Sequence, residues 1–190
     1  MRWLRALLLA APALALAGFG LAHPHLLTEG SAHRWWTMHV LLLPLFPLVA
    51  GALLVLLRGD RSPVAWAARV AGYGFAVGYT ALDVLAGIGA GLVVDTAHRP
   101  EDDVVGRLFQ IGDRIGRAGV WALLVAGLLT AAARWPRHGP WVLPGTAVFT
   151  TGCAVFMENH IFAPRGVWAM VALAAGTALL SLAPERSAEG

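Results

Sequence analysis

Six apolar runs, separated by short polar segments, organise the chain: Ala6–Ala22, Met38–Leu57, Val70–Val94, Gly119–Ala133, Trp141–Met157 and Val167–Leu182. A helix needs about 20 apolar residues to cross the hydrocarbon core of a bilayer. In lipid, runs of this length satisfy their backbone N–H and C=O groups only as helices. The pattern therefore predicts an all-α, polytopic transmembrane helix bundle of six spans, or five if the N-terminal segment is cleaved. Six crossings use roughly 120 residues, which leaves no room in 190 for a separate soluble catalytic domain. The chain reads as one integral-membrane domain.

Each run has its own punctuation. Arg2 and Arg5 precede the first, and Gly20-Leu21-Ala22 closes it with a small-x-small pattern. Residues 1–22 are thus either a retained signal anchor or a signal peptide, and both readings put His23 on the far side of the membrane. Pro44 and Pro47 interrupt the second run and predict a kink, because each removes a backbone donor. The third run carries Gly74/Gly78 and Gly87/Gly91, small-residue pairs that admit a second helix at close range. This glycine-rich span is the expected face for a membrane-protein partner or a second copy of the chain. Residues 95–117 alternate apolar and charged positions at helical spacing. They read as an extracytoplasmic amphipathic segment that lies on the membrane or leads directly into the next span.

Arginine placement sets the orientation. With a cytoplasmic N-terminus, the short inner loops hold Arg58, Arg61, Arg69, Arg134 and Arg137, as the positive-inside bias requires. All eight tryptophans fall near a proposed span end, where indole rings prefer to sit. The C-terminus is then cytoplasmic and the protein a multi-pass component of the cell membrane.

Composition narrows the chemistry. Hydrophobic residues make up 58% of the chain and charged ones 13%, far fewer than a soluble domain carries. The net charge of +3 comes from scattered arginines without a basic run, so nucleic acid is not an expected partner. There is no lysine, which removes Schiff-base chemistry and the P-loop. The single cysteine, Cys153, makes neither an intrachain disulfide nor a C-x-x-C knuckle. No G-x-S-x-G, H-E-x-x-H or dinucleotide fingerprint occurs.

Two places remain where chemistry could reside. The first is the outer face, which receives His23, His25, His33, His39, His98 and His160. His39 and His160 lie at the outer ends of two different runs, and Glu158 adds a carboxylate to them. Imidazole is the commonest ligand for zinc and copper, and paired imidazoles hold haem iron. His39, Glu158 and His160 therefore form a candidate set for a transition metal or haem. Their bland alternative is helix capping and headgroup contact. His23-Pro24-His25 is a separate candidate for copper, with the amine of His23 available if cleavage follows Ala22. The second place is Asp83, 14 residues after Arg69 and 12 before Asp95. At 1.5 Å per residue it lies about 18–21 Å from either end, at mid-membrane. An ionised carboxylate there costs about 2.5–3.5 kcal/mol on insertion scales, so it must be paired, protonated or wetted. Tyr79 and Thr80, one turn earlier, are the expected donors. Asp83 with Tyr79 and Thr80 is a candidate proton or ion site, and counting turns puts it about three below His39, too far to share a metal.

The sequence thus points first to an accessory or assembly-type multi-pass membrane protein with a metal or haem site at its extracytoplasmic face. The alternative is a small proton- or ion-coupled transporter that titrates Asp83.

Overall fold

A computed structural model describes residues 1–99 and 103–186. Among these residues the architecture is all-helical and contains no strand. The elements are α1 (Arg2–Ala22), α2 (Glu29–Leu42), α3 (Leu45–Leu56), α4 (Pro63–Leu82), a π-helical segment (Asp83–Gly89), α5 (Ala90–Ala97), α6 (Asp103–His138), a 3₁₀ turn (Gly139–Val142), α7 (Leu143–Asn159) and α8 (Arg165–Leu182). Five continuous helical stretches are long and apolar enough to cross a membrane: Arg2–Ala22, Glu29–Leu56, Pro63–Ala97, Asp103–Asn159 and Arg165–Leu182.

The longest of these stretches is two antiparallel rods. A Cβ on Gly127 would lie 2.5 Å from the ring of Phe149, although 22 residues of straight helix would hold them about 33 Å apart. The reversal occurs at Gly139, whose φ of +57° is in the left-handed region that glycine enters without steric cost. Residues 95–97 of the 95–117 segment close α5, and residues 100–102 lie outside the described residues. From Asp103 onward the segment is the first part of α6, so it leads directly into the long rod.

The proline break appears where the sequence places it. Helix α2 ends at Leu42, Pro44 precedes α3, and neither proline can donate to the turn before it. The upstream boundary differs from the apolar run. The run begins at Met38, but α2 begins at Glu29, because Thr28 and Ser31 cap it: the Thr28 N–H donates to Ser31 Oγ at 2.9 Å, and the Ser31 N–H donates back to the Thr28 carbonyl at 3.1 Å. Nine residues of mixed polarity are thereby helical, and His39 lies nearly three turns inside α2.

The core is formed by Leu16, Leu42, Phe46, Phe75, Phe149, Phe156 and Met170, all essentially removed from solvent. Close helix approach depends on glycine. Gly78 on α4 faces Gly119 on α6, Gly74 faces Ala122, and Gly91 lies under Trp35 and Trp36. The small-residue pairs of the third run are thus filled by α6 and α2 of the same chain.

The two ends of the bundle differ in chemistry. At one end, arginines donate to carbonyls left open at helix C-termini. Arg134 reaches Leu56 and Leu180, each at 3.1 Å, Arg69 reaches Leu57 at 2.8 Å, and Arg2 reaches Leu182 at 2.9 Å. These carbonyls carry the negative end of the helix dipole, where a cation is favoured. His138 joins this end through the carbonyl of Ala183 at 2.9 Å. The opposite end gathers the remaining histidines, and there Asp95 accepts from Trp36 Nε1 at 2.9 Å and lies 3.1 Å from His33 Nδ1.

Candidate metal centre

Three imidazoles converge at the histidine-rich end: His23, just beyond α1; His39, inside α2; and His160, just beyond α7. One ligand nitrogen from each lies within 4.8 Å of the others. His23 and His39 are buried, and the Nε2 of His160 is buried without a hydrogen-bond partner.

Local structure aims each ring. His39 Nδ1 lies 2.7 Å from the carbonyl of Trp35, one turn back on α2, and His23 Nδ1 lies 2.7 Å from the carbonyl of Pro24. A carbonyl only accepts, so in both rings the proton resides on Nδ1 and the Nε2 lone pair is free. The two Nε2 atoms are 3.5 Å apart. Two acceptors cannot bond to each other, and an unpaired buried polar atom costs about 1–3 kcal/mol. A cation between them would resolve the conflict. With metal–nitrogen bonds of about 2.0–2.1 Å, a tetrahedral ion holds its imidazole nitrogens roughly 3.3–3.4 Å apart, close to the observed separation. His160 Nδ1 shares a hydrogen bond with the phenol of Tyr79 at 2.5 Å. This is the kind of outer partner that fixes a ligating ring.

Backbone strain and close approach complete the pocket. His160 has φ +47°, a left-handed conformation uncommon for a side chain with a Cβ and often found at functional sites. The turn it begins is pressed between two glycines: a Cβ on Gly20 would lie 2.3 Å from the Ile161 carbonyl oxygen, and one on Gly166 would lie 2.5 Å from that of His160. Gly87 performs the same service for His39, whose Cδ2 would be 2.2 Å from an added Cβ. Trp35 packs on His23 and His39 and donates Nε1 to the Ala86 carbonyl at 3.1 Å, while Phe162 packs on His23 and His160. This apolar, aromatic shell pushes the His23 imidazole down to about 4, because burial disfavours its charged form. His23 is therefore neutral, the form that binds metal, throughout the physiological range.

Beside the imidazoles is a cavity of about 590 Å³, lined by His39, Tyr79, Asp113, Arg117, Glu158 and His160 among others. At its edge Arg117 lies 3.6 Å from Glu158, both side chains being well exposed.

Of the residues singled out from sequence, His39 and His160 meet. Glu158 is not in the cluster; it turns outward to Arg117. His23, which the sequence assigns to a separate copper candidate with His25, is the third member of the group. Tyr79 hydrogen-bonds His160 and not Asp83, and Thr80 lines a shallow apolar groove on the outside of α4. Asp83 is fully buried and neither carboxyl oxygen has a hydrogen-bond partner. It is also nearer to His39 than turn counting predicts. Gly87, one turn from Asp83, touches the His39 ring, because α2 starts well before its apolar run and His39 sits deeper than that run implies. Comparison with protein-family models, characterised proteins and solved structures returned no match.

Proposed function

We propose that the chain is a six-span protein of the cytoplasmic membrane, with both termini inside, that holds a single transition-metal ion on His23, His39 and His160 toward its extracytoplasmic face. The arginine-capped end is the cytoplasmic one in this reading, in keeping with the positive-inside bias. The observation that carries the metal assignment is the pair of facing Nε2 acceptors at 3.5 Å, each with its Nδ1 committed to a carbonyl. Neutral imidazoles suit zinc, copper, iron and nickel. A bare ion is favoured over haem, since the His23 and His39 rings meet edge to face at 5.0 Å between centroids with no slot between them for a macrocycle. Three protein ligands beside a cavity leave a coordination position for water or a small exogenous ligand, the arrangement of metal sites that act on a substrate.

The test is metal stoichiometry. Protein purified in nanodiscs, stripped with chelator and reloaded with Zn²⁺ or Co²⁺ binds one ion per chain, and bound Co²⁺ shows the visible absorption of a low-coordinate site. His39→Ala and His160→Ala lose the ion, while His138→Ala, at the other end of the bundle, keeps it. Equal retention by wild type, His39→Ala and His160→Ala would refute the assignment. Co-purification of a larger membrane complex by a metal-free wild type would favour an accessory role.

A further inference from the structure

Among the described residues, Asp83 is the one buried carboxylate. It is the first residue of the π-helical segment, and both its oxygens lack partners. Residues four apart share a helix face, and the neighbours of Asp83 on that face both touch the metal centre. Tyr79 hydrogen-bonds His160 at 2.5 Å, and Gly87 lies against the ring of His39. Asp83 therefore lies along the helix between these two contact points, about one turn from each. The titratable group beside it on its own helix is Tyr79, next to which α6 brings Asp113, and α2 brings His39 against Gly87 one turn on.

Charge balance makes this placement consequential. A divalent ion held by three neutral imidazoles introduces two positive charges among Trp35, Phe46, Phe156 and Phe162. Isolated charge in such surroundings costs several kcal/mol unless it is compensated. Glu158 is exposed and already beside Arg117, and Asp113 is exposed. An unpaired ionised carboxylate in the metal-free bundle is equally unfavourable. Resting on the metal reading above, we infer that Asp83 is the charge-compensating carboxyl of the centre, carrying a proton in the metal-free protein and releasing it when a divalent cation binds. The carboxylic acid becomes carboxylate plus H⁺, the proton is released to the medium, and the core gains one net positive charge in place of two. No bond other than O–H is broken and no redox partner is needed. Metal occupancy and proton movement are thereby linked.

The experiment titrates chelator-stripped protein in nanodiscs with Zn²⁺ in weakly buffered medium at pH 7. Released protons are counted with a pH-sensitive dye and bound zinc by elemental analysis. Wild type releases about one proton per zinc more than Asp83→Asn, which also binds zinc at least tenfold more weakly. Infrared difference spectra of wild type alone show a protonated-carboxyl C=O band that disappears on zinc addition, so the inference is testable even if the variant does not fold. Stoichiometric zinc binding with no change in that band and equal proton release would overturn the role of Asp83 and leave the metal site standing. Failure of wild type to bind zinc would overturn both.

Discussion

His23 and His39 face each other Nε2 to Nε2 at 3.5 Å, each with its other ring nitrogen held by a backbone carbonyl. One ring follows the end of α1 and the other is inside α2, so their approach is a tertiary arrangement. A local turn would instead hold both on one segment. The third ring owes its orientation to a side chain, the Tyr79 phenol, and that difference makes Tyr79 the informative position for substitution.

Tyr79→Phe keeps the ring that packs on Phe46 and Phe156 and deletes the oxygen that orients His160. Loss of such an outer partner costs 10–100-fold in metal affinity. Competition with a chromophoric chelator should show that decrease, with stoichiometry still one at saturating metal and the melting temperature little changed. Unaltered affinity would mean that the hydrogen bond plays no part in holding the ligand.

Gly87→Ala puts a methyl group 2.2 Å from His39 Cδ2. The ring or the π-helical segment must move, and overpacking of this kind costs roughly 1–3 kcal/mol. Gly18→Ala is the matched control, since its Cβ meets nothing within 4 Å and alanine is the better helix former by about 1 kcal/mol. Thermal unfolding in detergent should separate the two variants in opposite directions, and only Gly87→Ala should lose metal. Wild-type metal binding by Gly87→Ala would show that the His39 ring is not confined as described.

Arg134→Leu removes the donor shared by the Leu56 and Leu180 carbonyls. Hydrogen bonds to a charged group contribute about 1.5–3 kcal/mol, and a loss of that size is expected in denaturant unfolding. Metal content should not change, because the residue is at the opposite end of the bundle from the imidazoles.

Orientation is checked by thiol labelling of intact cells. Cys153 is buried and should remain unlabelled in the folded protein. Glu29→Cys, at the exposed start of α2, should react with an impermeant maleimide. Arg61→Cys, in the exposed loop before α4, should react only after permeabilisation. The reverse pattern would turn the bundle over and place the metal centre on the cytoplasmic side.

Much of this architecture is written in the order of residues. Among the described residues every apolar run lies in helix, and the break at Pro44 follows from chemistry that proline always imposes. That His39 and His160 come together was legible because both lie near the same edge of separate runs. The membership of His23 was not, since it depends on how the chain leaves α1, and no periodicity records that path. The carboxylate expected from Glu158 illustrates a related limit. Adjacency in sequence to His160 says nothing about direction, and the left-handed backbone at His160 sends that ring inward while Glu158 faces Arg117. The separation of Asp83 from His39 is shorter than turn counting gives, because apolar runs mark the oily part of a helix, whereas the capped turn at Thr28–Ser31 marks where the helix begins. Trp35 shows the same effect: its place before the apolar run suggests a membrane interface, but within α2 it is buried against the histidines.

The seat of the Ile161 carbonyl on Gly20 has a mechanical consequence. His23 hangs three residues beyond that seat, with Arg34 gripping the Ala22 carbonyl between them. Two of the three rings are therefore coupled to a single strut, the first helix. A shift of that helix along its axis would act on both rings at once, and through Arg34 on α2 as well.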